Sequence, residues 1–130
     1  MTTTTTTTAQ AVNDTWVRLC WALLGFSPNP LQAEPIRAFW EGCRFLLICG
    51  GERAGKSFTS VGAAVSVMGP RDDGEGQLYW IVGPDYMQPR AEFTYLRQVF
   101  AGMGCIAKES MPESHTQPWV LETDYGLRLE

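Results

Sequence analysis

The sequence predicts an α/β domain built on a mainly parallel sheet with flanking helices. Two short apolar runs, residues 44–49 (RFLLIC) and 77–82 (QLYWIV), have the length of strands rather than helices. Their continuity suggests strands covered on both faces, as in a parallel sheet. Amphipathic segments of helical period lie between and around them. The resulting order is helix, helix, strand, helix, strand, helix, hairpin, a succession that favours parallel strands joined by helical crossovers.

Each element has its own reason. Residues 1–10 (MTTTTTTTAQ) carry seven threonines and no apolar partner, so a disordered tail is expected. Within residues 11–26, Trp16, Val17, Cys20, Trp21 and Leu24 recur at helical spacing, with either Asn13 or Asp14 as the cap. The stretch FSPNP then breaks this helix. A second helix places Leu31, Ile36, Phe39 and Trp40 on one face, and Pro35 either kinks it or sets its start near Glu34.

Beyond the first strand, Phe58, Val61, Val65 and Met68 mark a third helix. Gly62, Ala63 and Ala64 allow close packing, and Gly69-Pro70 stops it. Residues 71–76 (RDDGEG) read as a surface loop. A fourth helix is expected over residues 89–102, on the spacing of Phe93, Leu96, Phe100 and Met103. Residues 105–118 look irregular. Residues 119–122 and 127–130 flank Asp124-Tyr125-Gly126 as the arms of a hairpin.

Composition narrows the function classes. Among 130 residues, 45 % are apolar and 12 % aromatic, enough for a real core. A net charge of −4 gives no global field to attract nucleic acid, although a local patch can still bind phosphate. Cys20, Cys43, Cys49 and Cys105 form no C-x-x-C pair, and with His115 as the single histidine no zinc spacing arises. Reduced thiols, mostly in the core, are expected. The longest apolar stretch, residues 16–26, is too short to span a bilayer and contains Arg18. A soluble, intracellular protein without a membrane partner is therefore expected.

The chemistry concentrates in residues 49–58, CGGERAGKSF, which contain Gly-x-x-x-x-Gly-Lys-Ser, the Walker A pattern. A glycine-rich turn leaves backbone N–H groups free to cradle a polyphosphate, and a helix N-terminus adds partial positive charge. Gly50 and Gly55 permit conformations that a β-carbon would block. Lys56 suits the β- and γ-phosphates, Ser57 suits Mg2+, and the helix should start near Lys56. Arg53 reads either as a second cation on phosphate or as a solvated charge beside Glu52.

Hydrolysis also needs a carboxylate at a strand end to hold the metal, and another to orient water. Asp85 lies beyond Gly-Pro, displaced from the expected strand end, and reads as a turn residue. Glu122 reads as an outward-facing hairpin residue, with Asp124 beside it in the turn. No convincing acidic motif stands in the sequence.

Four segments together resemble the large subunit of phage terminases, the ATPase that packages DNA into viral heads. They are SPNPLQAEPIRAFW, LLICGGERAGKSF, YWIVGPDY with PRAEFTYLRQVF, and WVLETDYGLRLE, covering about residue 27 to the C-terminus. The resemblance implies a P-loop NTPase core of the RecA-like (ASCE) type over residues 27–130, truncated before its acidic Walker B strand. The family's coupling motif and nuclease domain would then lie beyond Glu130. It implies ATP and Mg2+ as ligands, with Gln32, Gly50, Gly51, Glu52, Arg53, Ala54, Gly55, Lys56 and Ser57 around the nucleotide. Lys56 and Arg53 would be catalytic, Ser57 would ligate the metal, and Gln32 would read the adenine. Arg53 stands three residues before Lys56, where the family often has four.

Double-stranded DNA, a portal protein, a small terminase subunit and further copies of the chain are the implied partners. The implied setting is the cytoplasm of an infected or lysogenic bacterial host, and little turnover is expected from this segment alone. The alternatives are a fragment of a helicase-like P-loop ATPase, or a non-catalytic remnant that acts by association.

Overall fold

The computed structural model describes residues 13–43, 45, 56–85 and 88–130, with Lys56 and Ser57 described through their backbone only. The chain divides into two compact units, Met1–Val67 and Met68–Glu130.

The described part of the first unit is helical. Helix α1, Asp14–Leu24, is capped by Asn13, whose side chain accepts the N–H groups of Thr15 and Trp16 at 3.0 and 3.2 Å. Gly25, in the left-handed region at φ 68°, closes its other end. Val17, Cys20 and Leu24 are buried, which is the predicted face. Helix α2, Pro30–Trp40, starts earlier than Glu34 because Asn29 caps it and Pro30 occupies the first turn, where no N–H is needed. Pro35 lies inside the helix, which continues to Trp40. Helix α3, Lys56–Val65, buries Thr59, Val61, Ala63 and Val65. It ends before the expected Gly69-Pro70 stop.

The second unit carries the sheet. Strand β1 is Gln77–Tyr79, helix α4 is Arg90–Met103, and strands β2, β3 and β4 are Ile106–Ser110, Val120–Thr123 and Leu127–Leu129. The sheet order is β1-β4-β3-β2. Only β1 and β4 run parallel; β2 with β3 and β3 with β4 are antiparallel. The expected mainly parallel P-loop sheet is thereby overturned for the described residues. The reason is local: β3 and β4 are joined by the three-residue turn Asp124-Tyr125-Gly126, and a connection that short permits only antiparallel pairing. Gly126, at φ 86°, supplies the turn, and Thr123 Oγ1 accepts the Leu127 N–H at 3.1 Å. The hairpin itself is where the sequence predicts it.

Two further expectations are corrected. Residues 105–118 are not wholly irregular, since β2 forms there as an edge strand with little buried surface. The run QLYWIV is not a buried strand. It contributes three residues at the other edge, and Leu78, Trp80 and Val82 are 56 %, 68 % and 83 % exposed. The predicted strand over residues 44–49 lies outside the described residues except for Phe45, which is in no regular element and 89 % exposed.

The core of this unit follows helix and strand periods. Phe93, Leu96, Val99 and Phe100 of α4 are buried, as are Leu121 and Thr123 of β3 and Leu127 and Leu129 of β4. Alternation along β3 and β4 turns Glu122 and Arg128 outward, where they pair. Arg97 of α4 forks onto Glu109 of β2 at 2.7 and 2.9 Å. Among the described residues, no helix is long and apolar enough to cross a membrane.

Candidate nucleotide site

The predicted phosphate loop meets the described structure at one place. Lys56 and Ser57, which close the motif, lie in the helical backbone of α3. Gly50, Gly51, Glu52, Arg53, Ala54 and Gly55 lie outside the described residues, as do the side chains of Lys56 and Ser57.

What holds α3 is on view. Three indole N–H groups reach its C-terminal end. Trp16 donates to the Val65 carbonyl at 2.7 Å and Trp21 to the Gly62 carbonyl at 3.0 Å. Trp40 donates to Ser66 Oγ at 2.8 Å, and that hydroxyl donates to the Ala63 carbonyl. The last carbonyls of a helix have no partner within it, so these side chains satisfy groups that burial would otherwise strand. Close approach depends on Gly62: a β-carbon there would stand 2.5 Å from the Phe26 ring. The small residues predicted to allow close packing do so at this glycine.

Gln32 is half-buried at the third position of α2. Its side-chain oxygen accepts the Asn29 N–H at 3.0 Å, and its own N–H donates to Asn29 Oδ1 at 2.9 Å. This reciprocal pair is a capping box. The residue implied as an adenine reader thus also starts its helix. The spacing Asn29-x-x-Gln32 carried that signal in the sequence.

The carboxylates considered for hydrolysis have other occupations. Asp85 accepts the Gln88 N–H at 3.0 Å in an exposed turn. Glu122 pairs with Arg128, and Asp124 sits exposed in the hairpin turn. Glu130 and then Glu122 hold the Arg128 guanidinium above its ordinary pKa. Among the described residues, no group of three or more His, Cys, Asp or Glu side chains could hold a metal ion.

Sequence reasoning missed one cluster in the second unit. Arg90 at the start of α4 lies 4.6 Å from the Trp119 ring centre, and Phe93 meets that ring edge-on at 5.5 Å. Arg90 Nη2 also donates to the Ser114 carbonyl at 2.9 Å, and the Trp119 indole donates to the Pro112 carbonyl at 2.9 Å. These contacts latch residues 112–119 to the first turns of α4. They floor an open groove of about 550 Å³ that also takes in Trp80, Val82 and Asp85. The only signals in the sequence were an arginine on a predicted helix and a tryptophan in a stretch read as irregular.

Buried Cys20 and Cys105 are free thiols as expected, whereas Cys43 is exposed; Cys49 lies outside the described residues. Burial, with the charge of Asp124, pushes the Cys105 thiol above its ordinary pKa.

Together these observations define a small α/β protein of two units, in which a phosphate-loop sequence leads into the helix α3 of the first. No family model matches the chain, and no curated protein or solved structure matches it significantly.

Proposed function

We propose that this chain binds Mg-ATP through residues 50–57, as part of the large subunit of a viral DNA-packaging motor. The observation that supports it most is the GGERAGKS pattern, whose last two residues lie in helix α3. Backbone N–H groups of the turn and the first helical turn would bind the phosphates. Lys56 would neutralise the β- and γ-phosphates, with Arg53 as a second cation, and Ser57 would ligate Mg2+.

The motor assignment rests on the resemblance of the four segments, and with it the partners: double-stranded DNA, a portal, a small subunit and further copies of this chain. Turnover by this chain alone is expected near background. Asp85, Glu122 and Asp124 are engaged in a turn, an ion pair and a hairpin, away from the role of holding a metal or activating water.

Calorimetric titration of the folded protein with Mg-ATP tests the reading. Binding heat that Lys56→Ala abolishes, with hydrolysis near background, is the expected result. A folded protein that takes up no Mg-ATP overturns it.

One observation favours a second reading, that of a non-catalytic module acting by association. Leu78, Trp80 and Val82 lie exposed along an edge strand and the residues just beyond it. Size-exclusion chromatography discriminates, because a stable monomer at high concentration counts against it.

A further inference from the structure

Strand β1 and the residues just beyond it spend one side of their backbone on β4. The Gln77 N–H donates to the Gly126 carbonyl at 3.0 Å, the Glu130 N–H to the Tyr79 carbonyl at 3.0 Å, and the Ile81 N–H to the Glu130 carbonyl at 2.8 Å. Successive residues of an extended chain direct these groups to opposite sides, so those of Leu78, Trp80 and Val82 point off the edge of the sheet. Among the described residues no strand lies on that side. The side chains of the same three residues are exposed.

The two edges of the sheet differ in protection. Charged side chains keep an edge from pairing with another chain. Strand β2 carries Lys108 and Glu109, the latter bound to Arg97. Residues 77–84 (QLYWIVGP) carry no charge, and Pro84 comes only after the apolar residues, so β1 is bare.

A second copy of the chain offers the same neutral, apolar edge, and neither strand brings a charge that must lose its water. With a two-fold axis at Trp80, antiparallel pairing sets Leu78 opposite the partner's Val82 and Trp80 opposite the partner's Trp80. Each outward N–H then meets a carbonyl, and apolar side chains stand beside apolar ones on one face. Pairing of like edges closes at two copies, with the charged β2 edges left outside.

We propose that β1 is a homodimerisation edge, on which two copies pair antiparallel about Trp80 and join their four-stranded sheets into one. The inference rests on the association reading above and names the partner as the chain itself; ATP binding does not enter it. Stable interfaces take roughly 20–30 residues a side, and residues 78–82 are far fewer. The pairing is therefore reversible and depends on concentration.

Sedimentation equilibrium of the full chain over a range of concentrations tests this, with circular dichroism to check folding. Wild type is expected to dimerise reversibly. Trp80→Lys sets two like charges across the axis and should weaken the dimer about tenfold. Leu78→Lys alone and Val82→Glu alone should weaken it as well. Combined in one chain they should restore it, in a form that added salt weakens, because in this register each lysine meets a glutamate of the other copy. A parallel pairing would bring like charges together instead and should not recover.

A folded wild type that stays monomeric throughout overturns the proposal, and the association reading with it. A dimer that Trp80→Lys leaves intact, or that the double substitution fails to restore, overturns the β1 pairing alone and leaves association through another surface. If Trp80→Lys fails to fold, the Leu78 and Val82 variants decide.

Discussion

Gln32 and Asn29 each satisfy the other's backbone: Gln32 Oε1 accepts the Asn29 N–H at 3.0 Å, and Asn29 Oδ1 accepts the Gln32 N–H at 2.9 Å. The cap uses the amide oxygen of Gln32, whereas recognition of an adenine would also call on its NH2 donors. Gln32→Glu separates the two, since a carboxylate can still accept from Asn29 but can donate nothing. Thermal unfolding should stay within about 0.5 kcal/mol of wild type, while Mg-ATP affinity measured by calorimetry falls. Unchanged affinity would remove Gln32 from the base site.

Ser66 Oγ stands between the Trp40 indole and the Ala63 carbonyl and is buried. Ser66→Ala leaves a half-buried indole N–H without its acceptor, a loss of about 1–3 kcal/mol. Urea unfolding should show the loss, and Trp40→Phe should cost less in the Ser66→Ala background than in wild type, because the hydrogen bond is already gone. Full additivity would mean that the two side chains act independently.

Arg97 and Glu109 join α4 to β2, and the guanidinium holds the Glu109 carboxyl below its ordinary value of 4.5. A depressed folded pKa means stability that is present above 4.5 and lost as pH falls through the lower folded value. Both side chains are partly exposed, so the effect is a fraction of 1 kcal/mol, about what surface pairs contribute. Glu109→Gln should destabilise slightly at pH 7 and match wild type near pH 2, with added salt narrowing the difference. A deficit that persists in acid would assign the loss to packing.

Cys43 is exposed, whereas Cys105 is buried with its thiol pKa raised. Because the thiolate is the reactive form, mass mapping after brief alkylation at pH 8 should find Cys43 modified well before Cys105. Equal rates would mean that Cys105 is more open than its burial indicates.

Several elements were legible from residue order because their causes are local. Asn13 as a cap, the face of α4 through Phe93, Leu96 and Phe100, and the turn at Asp124-Tyr125-Gly126 each depend on neighbours a few positions away. So does the phosphate-loop pattern, whose last two residues lie in α3. Pro35 misled in the other direction, because the cap at Asn29 and the packing of Ile36 outweigh the single N–H that proline lacks.

Periodicity says which face of a segment is apolar but not which strand will lie beside it, or in which direction. QLYWIV therefore reads as buried while Leu78, Trp80 and Val82 face out, and β2 escapes notice because an edge strand needs little apolar surface. By itself the sequence determined the faces of the helices and the closing hairpin. Only the tertiary structure decided the strand order that sets β1 beside β4, the Arg90–Trp119 latch and the indoles and rings gathered on α3, because each of these depends on partners far apart in the chain.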